Sequence, residues 1–166
     1  MGYCVISFLT SAVEVGYVSD EDKDLSELIW SETQKGYLHR WFGTSRANRK
    51  HKYLHKIVLE RKIRRPLNRG EIADHIDRNP RNNQRDNLRL ATYSQNSQNK
   101  KIRKDNTSGY RGIYRETRVK KESWIVAPVL NGKKRHIGTF NTKEEAKQAR
   151  DEAVKRMFGA EFVATD

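Results

Sequence analysis

An α+β protein built from small modules is what this sequence predicts, on three observations. Hydrophobic residues are 35% of the 166 and charged residues 33%, against roughly 45–50% apolar in an ordinary globular domain, so the chain is too poor in apolar side chains for one large core. Residues 71–99 read as strand, loop, strand and helix. The last third reads as three short strands followed by one capped helix.

The elements follow in order. Val13–Val18 reads as a strand, followed by a helix capped by Asp20, with Asp22, Asp24 and Glu27 near its positive end and Leu25, Leu28 and Ile29 on its apolar face. This acidic segment is read as an auxiliary fold element. Gly36–Phe42 and Lys52–Leu54 read as strands around a basic turn, Gly43–Lys50. His55–Arg64 reads as a short helix with Ile57, Val58 and Leu59 inward, ended by Pro66. A short apolar strand then delivers Asp74 and His75, an Asn-rich loop follows, Leu88–Ala91 is a second strand, and Thr92 caps a helix from Tyr93.

The polar, basic stretch Gln98–Ser108 places a boundary near residue 104, giving domains 1–103 and 104–166. Beyond it, Tyr110–Glu116, Ser123–Leu130 and Arg135–Phe140 read as strands, the last two joined by a type I′ turn at Asn131-Gly132. Thr142-Lys143-Glu144-Glu145 is a capping box opening a helix with Ala146, Ala149, Ala153, Val154 and Met157 on one stripe, stopped by Gly159. The small alanines let that helix lie close on a three-stranded sheet, whose other face is left for a ligand.

Net charge is +13, made up of −6 over residues 1–34, +11 over 35–98 and +8 over 99–166. A basic excess over two-thirds of the chain, interleaved with Tyr, Trp and Asn, is the footprint of a phosphate-backbone partner and points to nucleic acid without saying which kind. The one cysteine, Cys4, excludes an internal disulfide and any thiolate zinc site. No run approaches 18 apolar residues, and the segment from Cys4 to Val18 lacks the basic start of a signal peptide. The protein is therefore read as soluble and cytoplasmic, with no membrane partner and no evident obligate protein partner.

Cutting a phosphodiester needs an in-line water, a base for its proton and positive charge for the leaving oxygen. An imidazole near pKa 6.5 is a competent base at neutral pH, and a carboxylate with an amide oxygen suits Mg²⁺ or Mn²⁺. Asp74, His75 and Asn96 supply these types, and Asn87 could fix the imidazole's tautomer from its second nitrogen. Asp77, Asn79, Asn82 and Asn83 are read as shaping the loop, with Asn83 also open to a hydrogen bond onto the hairpin. Of the other histidines, His55 is read as buried beside the site, and His39, His51 and His136 as surface residues or phosphate contacts.

Asp74-His75-Ile76-Asp77, Asn79-Pro80, Asn82-Asn83, Asn87-Leu88-Arg89 and Asn96, with a lead-in of Tyr53-Leu54-His55-Lys56 and Arg65-Pro66-Leu67, resemble the HNH motif of phage intron-type homing endonucleases over roughly residues 13–99. The resemblance implies a ββα-metal site in which Asp74 and Asn96 hold one Mg²⁺ or Mn²⁺, His75 is the general base and Asn87 orients it, acting on double-stranded DNA. Asp stands where His is usual as first ligand. A noncatalytic DNA-binding regulator that keeps the fold is the alternative, and the intact set of four argues against it.

Ser108-Gly109-Tyr110-Arg111-Gly112-Ile113, Trp124, Asn131-Gly132-Lys133, Gly138-Thr139-Phe140 and Glu144-Glu145-Ala146 resemble the AP2 DNA-binding domain over roughly 106–163. That family lays its sheet in the major groove. Arg111 and Trp124 match its contact positions, Tyr114 stands where a second Arg is usual, and Arg115, Arg118, Lys133, Lys134 and Arg135 are contacts by charge. Trp124 is equally readable as a core aromatic. Pro128, in place of a strand residue that donates to the ladder, predicts an edge or a bulge.

Overall fold

The computed structural model describes residues 3–6, 16–102, 104–117 and 122–163; the first three residues of the predicted opening strand, and Arg118, lie outside them. Residues 1–91 and 92–166 form two compact units.

In the first unit β1 (Tyr3–Ile6) and β2 (Gly16–Ser19) pair antiparallel. The helix expected after them is a 3₁₀ turn, Asp20–Leu25, in which Asp22 leaves helical geometry (φ −114°). The reason is electrostatic. Asp22 is fully buried, and its carboxylate accepts from Arg85 Nε at 2.6 Å, Arg85 Nη2 at 3.1 Å and Arg61 Nη1 at 3.3 Å, while Arg61 also forks onto Asp24 at 2.7 and 2.8 Å. A carboxylate taken out of water needs that many charged donors, so Asp22 is a core ion pair and not a helix-end charge.

Next, β3 (Ser31–Glu32), β4 (Leu38–Phe42) and β5 (Lys50–Tyr53) form an antiparallel sheet in that order. The chain runs directly into α1 (Leu54–Ile63), which stops at Arg64 in the left-handed conformation (φ 55°), two residues before Pro66. Leu54, Val58 and Leu59 of α1 are buried with Val18, Leu25, Trp30, Leu38 and Leu88, and Trp30 donates its indole N–H to Leu25 O at 2.8 Å. Ile57 packs at the edge of this core. Four elements follow: β6 (Glu71–His75), β7 (Asn82–Asn83), a 3₁₀ turn at Arg85–Asn87 and β8 (Leu88–Thr92). β6 pairs with β8, and β7 adds to β2 in parallel, Val18 opposite Asn83.

The second unit begins at α2 (Tyr93–Asn99). Thr92 caps it as expected, and Gln95 completes a capping box by accepting from Thr92 N at 2.7 Å. Three hydrogen bonds tie α2 into this unit: Gln95 Nε2 to Phe158 O (3.1 Å), Gln98 Nε2 to Val129 O (3.3 Å) and Asn131 N to Ser94 Oγ (2.9 Å). The break between compact units thus precedes α2, whereas composition marked residue 104.

The sheet of this unit has the order β13 (Gly138–Phe140), β10 (Trp124–Val126), β9 (Ile113–Arg115), all antiparallel. The long strand expected over Ser123–Leu130 is interrupted at Ala127-Pro128, and a separate hairpin of β11 (Val129–Leu130) and β12 (Lys133–Lys134) turns through Asn131 (φ 50°) and Gly132 (φ 76°). Ala127 N donates to Gly112 O at 2.7 Å. Gly112 has φ 74°, and a Cβ there would stand 3.0 Å from Pro128 Cα, so this crossing needs glycine twice over. The helix α3 (Lys143–Phe158) opens on the expected capping box of Thr142 and Glu145, ends at Gly159, and buries Ala146, Ala153, Val154 and Phe158. Ala149 and Met157 are only half-buried, and Arg150 is also buried on this helix, 2.9 Å from Asp151 and over the Tyr110 ring.

Candidate active site

β6 ends on the two residues singled out from sequence. Asp74 and His75 are 5% and 6% exposed, unusually deep for ionisable groups. Asp74 Oδ2 accepts from Arg89 Nε of β8 at 2.8 Å, an inner ion pair across the two strands. His75 Nε2 lies 3.3 Å from Asn83 Oδ1. Asn83 is fully buried, and its Nδ2 donates to Arg81 O at 3.0 Å and Pro80 O at 3.4 Å. With the amide nitrogen committed to carbonyls, its oxygen faces the imidazole as an acceptor, so the proton of a neutral His75 sits on Nε2 and Nδ1 is the basic atom. Burial holds the His75 imidazole below its ordinary pKa, opposed by the Asn83 bond and by the carboxylates of Asp77 and Asp74.

Asn87 does not play the part expected of it. Its Oδ1 accepts from Asp77 N at 3.0 Å, and its Nδ2 donates to Asp77 Oδ1 at 2.9 Å and Asn82 O at 2.7 Å. Its backbone O accepts from Ile76 N at 2.9 Å. With both side-chain atoms committed, Asn87 pins the loop between β6 and β8 and does not touch the imidazole. The amide that meets the imidazole is Asn83, which the sequence reading had left open only to a hydrogen bond onto the hairpin. Arg89 was missed; a cation one residue past Leu88, on the strand that pairs with Asp74's strand, was the available signal. Asp77, Asn79 and Asn82 shape the loop as read, with Asp77 Oδ1 accepting from Asn79 N at 2.8 Å and Oδ2 from Asn82 Nδ2 at 2.8 Å.

Asn96 lies half-buried on α2 in the second unit, and its side chain has no hydrogen-bond partner among the described residues. Those residues hold no cluster of three His, Cys, Asp or Glu able to hold a metal ion. The single buried carboxylate beside His75, Asp74, is an oxygen donor of the kind that suits a hard cation such as Mg²⁺. Soft or borderline metals that want several nitrogen or sulfur donors do not fit it.

Beside His75 stand Tyr37 (ring centroids 6.0 Å apart) and His55 (5.2 Å, edge-on). Burial first, then the neighbouring His75 and Lys56, pushes the His55 imidazole down to about 3. It is therefore neutral in the fold and protonated below pH 6.5 in the unfolded chain, so it lowers stability as pH falls from about 6.5 toward 3 and contributes no pH dependence above that window. Urea midpoints at pH 7.5, 6 and 5 should fall with acidification, and His55→Phe should flatten the slope by up to about 1.4 kcal/mol per pH unit. Equal slopes in both proteins exclude a buried neutral His55.

Residues 52–98, which include Asp74, His75, Asn83, Asn87 and Asn96, match the family model described as HNH endonuclease. This segment is an HNH endonuclease family domain. An uncharacterized HNH endonuclease of Acanthamoeba polyphaga mimivirus is 33% identical over 114 residues, 69% of this chain and 54% of that protein. Protein 3.8 of Escherichia phage T7 is 41% identical over 72 residues, 43% of this chain and 58% of that protein. The chain thus spans about half the length of these viral relatives. No solved structure matches it. No helix among the described residues is long and apolar enough to cross a membrane.

The HNH domain holds none of the residues read as contacts by the second resemblance; these lie in the second unit. Trp124 alternates onto the same sheet face as Val126, packs against the core of Ile113, Val126 and Ala146, and has Lys143 Nζ 5.6 Å over its ring. It is the core aromatic of the two readings, with its ring turned to α3. Arg111 is also redirected, its Nη2 donating to Lys101 O at 2.9 Å and to Lys100 O. Arg115 stands 3.6 Å from Glu122 on an exposed edge. Tyr114 takes the opposite sheet face with Lys134 Nζ 4.3 Å over its ring, and Lys133, Lys134 and Arg135 are exposed. Arg111→Ala should therefore lower stability by about 1 kcal/mol, seen in thermal melts, and weaken two unrelated DNA duplexes alike. A loss confined to one duplex would instead show a base contact.

Proposed function

We propose that this chain is a divalent-metal-dependent DNA endonuclease of the phage homing type. The observation that carries the reading is the buried His75, fixed by Asn83 with Nδ1 as its basic atom and set next to Asp74, inside a segment that matches HNH endonucleases. His75 Nδ1 takes the proton of the attacking water. Asn83 keeps the ring in one tautomer, and Asn87 keeps the loop that carries Asn83 in register with β6. Arg89 orients the Asp74 carboxylate. Asp74 would hold one Mg²⁺ or Mn²⁺, which when bound supplies positive charge for the phosphate and the 3′ leaving oxygen.

The second unit supplies further DNA contacts in this proposal. Its sheet face bearing Tyr114, with the basic hairpin of Lys133, Lys134 and Arg135, gives an aromatic and three cations on exposed surface, as an AP2-like reader would. Trp124 and Arg111 act there by holding the unit together.

Incubation with supercoiled plasmid in Mg²⁺, in Mn²⁺ and in chelator tests the proposal. Nicked product in either metal, none in chelator, and ends bearing 5′-phosphate and 3′-hydroxyl are expected. Full activity in chelator, or 3′-phosphate ends, overturns it.

A further inference from the structure

A cleft of about 510 Å³ opens in the first unit, lined by Thr33, Gln34, Lys35, Tyr37, Tyr53, His55 and Ala73. Its size is that of a small-ligand site. Tyr37, Tyr53 and His55 form its aromatic part, with ring centroids 6.5 Å (Tyr37 to Tyr53), 5.3 Å (Tyr37 to His55) and 5.5 Å (Tyr53 to His55) apart. His55 Nδ1 is buried and has no hydrogen-bond partner among the described residues. Buried polar atoms in folded proteins are almost always paired, so an orphan in a cleft wall marks a place where a ligand supplies the partner.

The rim is built separately. Gly36 N donates to Thr33 O at 2.9 Å, Thr33 N to Tyr37 O at 2.9 Å and Tyr37 N to Thr33 Oγ1 at 3.1 Å, closing a tight turn that sets Gln34 and Lys35 at its exposed tip. Gln34 brings an amide that both donates and accepts, and Lys35 an ammonium. Aromatic faces, an unpaired ring nitrogen, an amide and a cation together match a nucleobase with its phosphate, whereas an apolar ligand would leave His55 Nδ1 unpaired.

The cleft adjoins the candidate base. Tyr37 and His55 each stand within 6.0 Å of the His75 ring, centroid to centroid. A nucleotide whose phosphate sits at His75 can therefore reach the cleft with its own base or its neighbour's. We propose that the cleft takes one unstacked nucleobase of the bound strand, stacked on the tyrosines and hydrogen-bonded at its edge by His55 and Gln34. This rests on the nuclease reading for its location beside the cut. Withdrawing a base from the stack costs free energy that is lowest at mismatched or single-stranded positions, so the cleft favours strands already distorted at the site.

The test uses the full-length chain in chelator and a single-stranded thymidine oligomer with one central 2-aminopurine. Stacking should quench its fluorescence on binding, and an oligomer with an abasic site at that position should bind about tenfold more weakly, the usual scale for one stacked base. Tyr37→Leu should remove the quenching. Should that variant not fold, Gln34→Ala and Lys35→Ala, both exposed at the turn, should each weaken binding about threefold. Equal affinity for the abasic oligomer, quenching that persists in a folded Tyr37→Leu, or unchanged affinity in both Gln34→Ala and Lys35→Ala overturns the proposal. Plasmid nicking by the same preparation in Mg²⁺ separates the two readings: nicking without quenching removes the base cleft alone, and quenching without nicking keeps the cleft and removes the cleavage mechanism.

Discussion

His75→Ala should abolish plasmid nicking while leaving DNA affinity nearly unchanged. A positioned base contributes on the order of 10²–10⁴ in rate, and a ring that is 6% exposed has almost no surface to offer a strand for binding. Asn83→Ala should fall between the extremes. It leaves the imidazole in place but removes the acceptor at Nε2, so nicking should drop about tenfold or more, as for other changes that free a functional histidine's orienting bond. Asn83→Asp keeps an acceptor there and should recover part of the loss. Initial rates in Mg²⁺, with affinity measured separately in chelator, decide the matter. Wild-type nicking by His75→Ala ends the assignment, and wild-type nicking by Asn83→Ala would return the orienting role to another group.

Asp22→Ala should cost about 3–5 kcal/mol of stability, the range for breaking a buried charge pair from one side. Asp22 is fully buried and holds Arg85 in a fork while sharing Arg61 with Asp24. Removing it leaves Arg85, whose side chain is 27% exposed, with one charge uncompensated. The same arginine's backbone N donates to Ser19 Oγ at 2.8 Å, so the loss also loosens the 3₁₀ turn that precedes β8. Asp22→Leu combined with Arg85→Met should be much milder, because an apolar pair of similar volume escapes the desolvation penalty. Urea denaturation followed by circular dichroism measures both. A shift below 0.5 kcal/mol for Asp22→Ala would show that the charge is solvated in solution.

Local rules carried far in this chain. The capping boxes at Thr142 and Asn-Gly turn at residues 131 and 132, the stop at Pro66 and the strand-loop-strand order around His75 each depend on interactions within about five residues, which adjacent sequence displays. At Pro128 the sequence predicted an edge or bulge, since a residue without an N–H cannot donate to a ladder, and the strand is instead interrupted there. Asp22 was misread because a run of acids after a strand looks like a helix start from sequence, and only the approach of Arg61 and Arg85, 39 and 63 residues away, turns one of them inward.

Adjacent residues alone place Asp74 and His75 on one short strand, an Asn-rich loop behind them and a basic chain around them. Which partner each one takes depends on the packing of distant segments. Asn83 and Asn87 have the same side chain four positions apart, and nothing local separates an amide that meets an imidazole from one that pins a loop. The difference arises because β7 adds to β2 and buries Asn83 completely, while Asn87 stays within reach of Asp77 and Asn82. Trp124 and Arg111 meet their partners likewise, on the side of the sheet that α3 covers and at the carbonyls of Lys100 and Lys101. Hydrogen-bond partners and burial are set by chain segments distant in sequence, and a side chain's type states what it can do without stating what it meets.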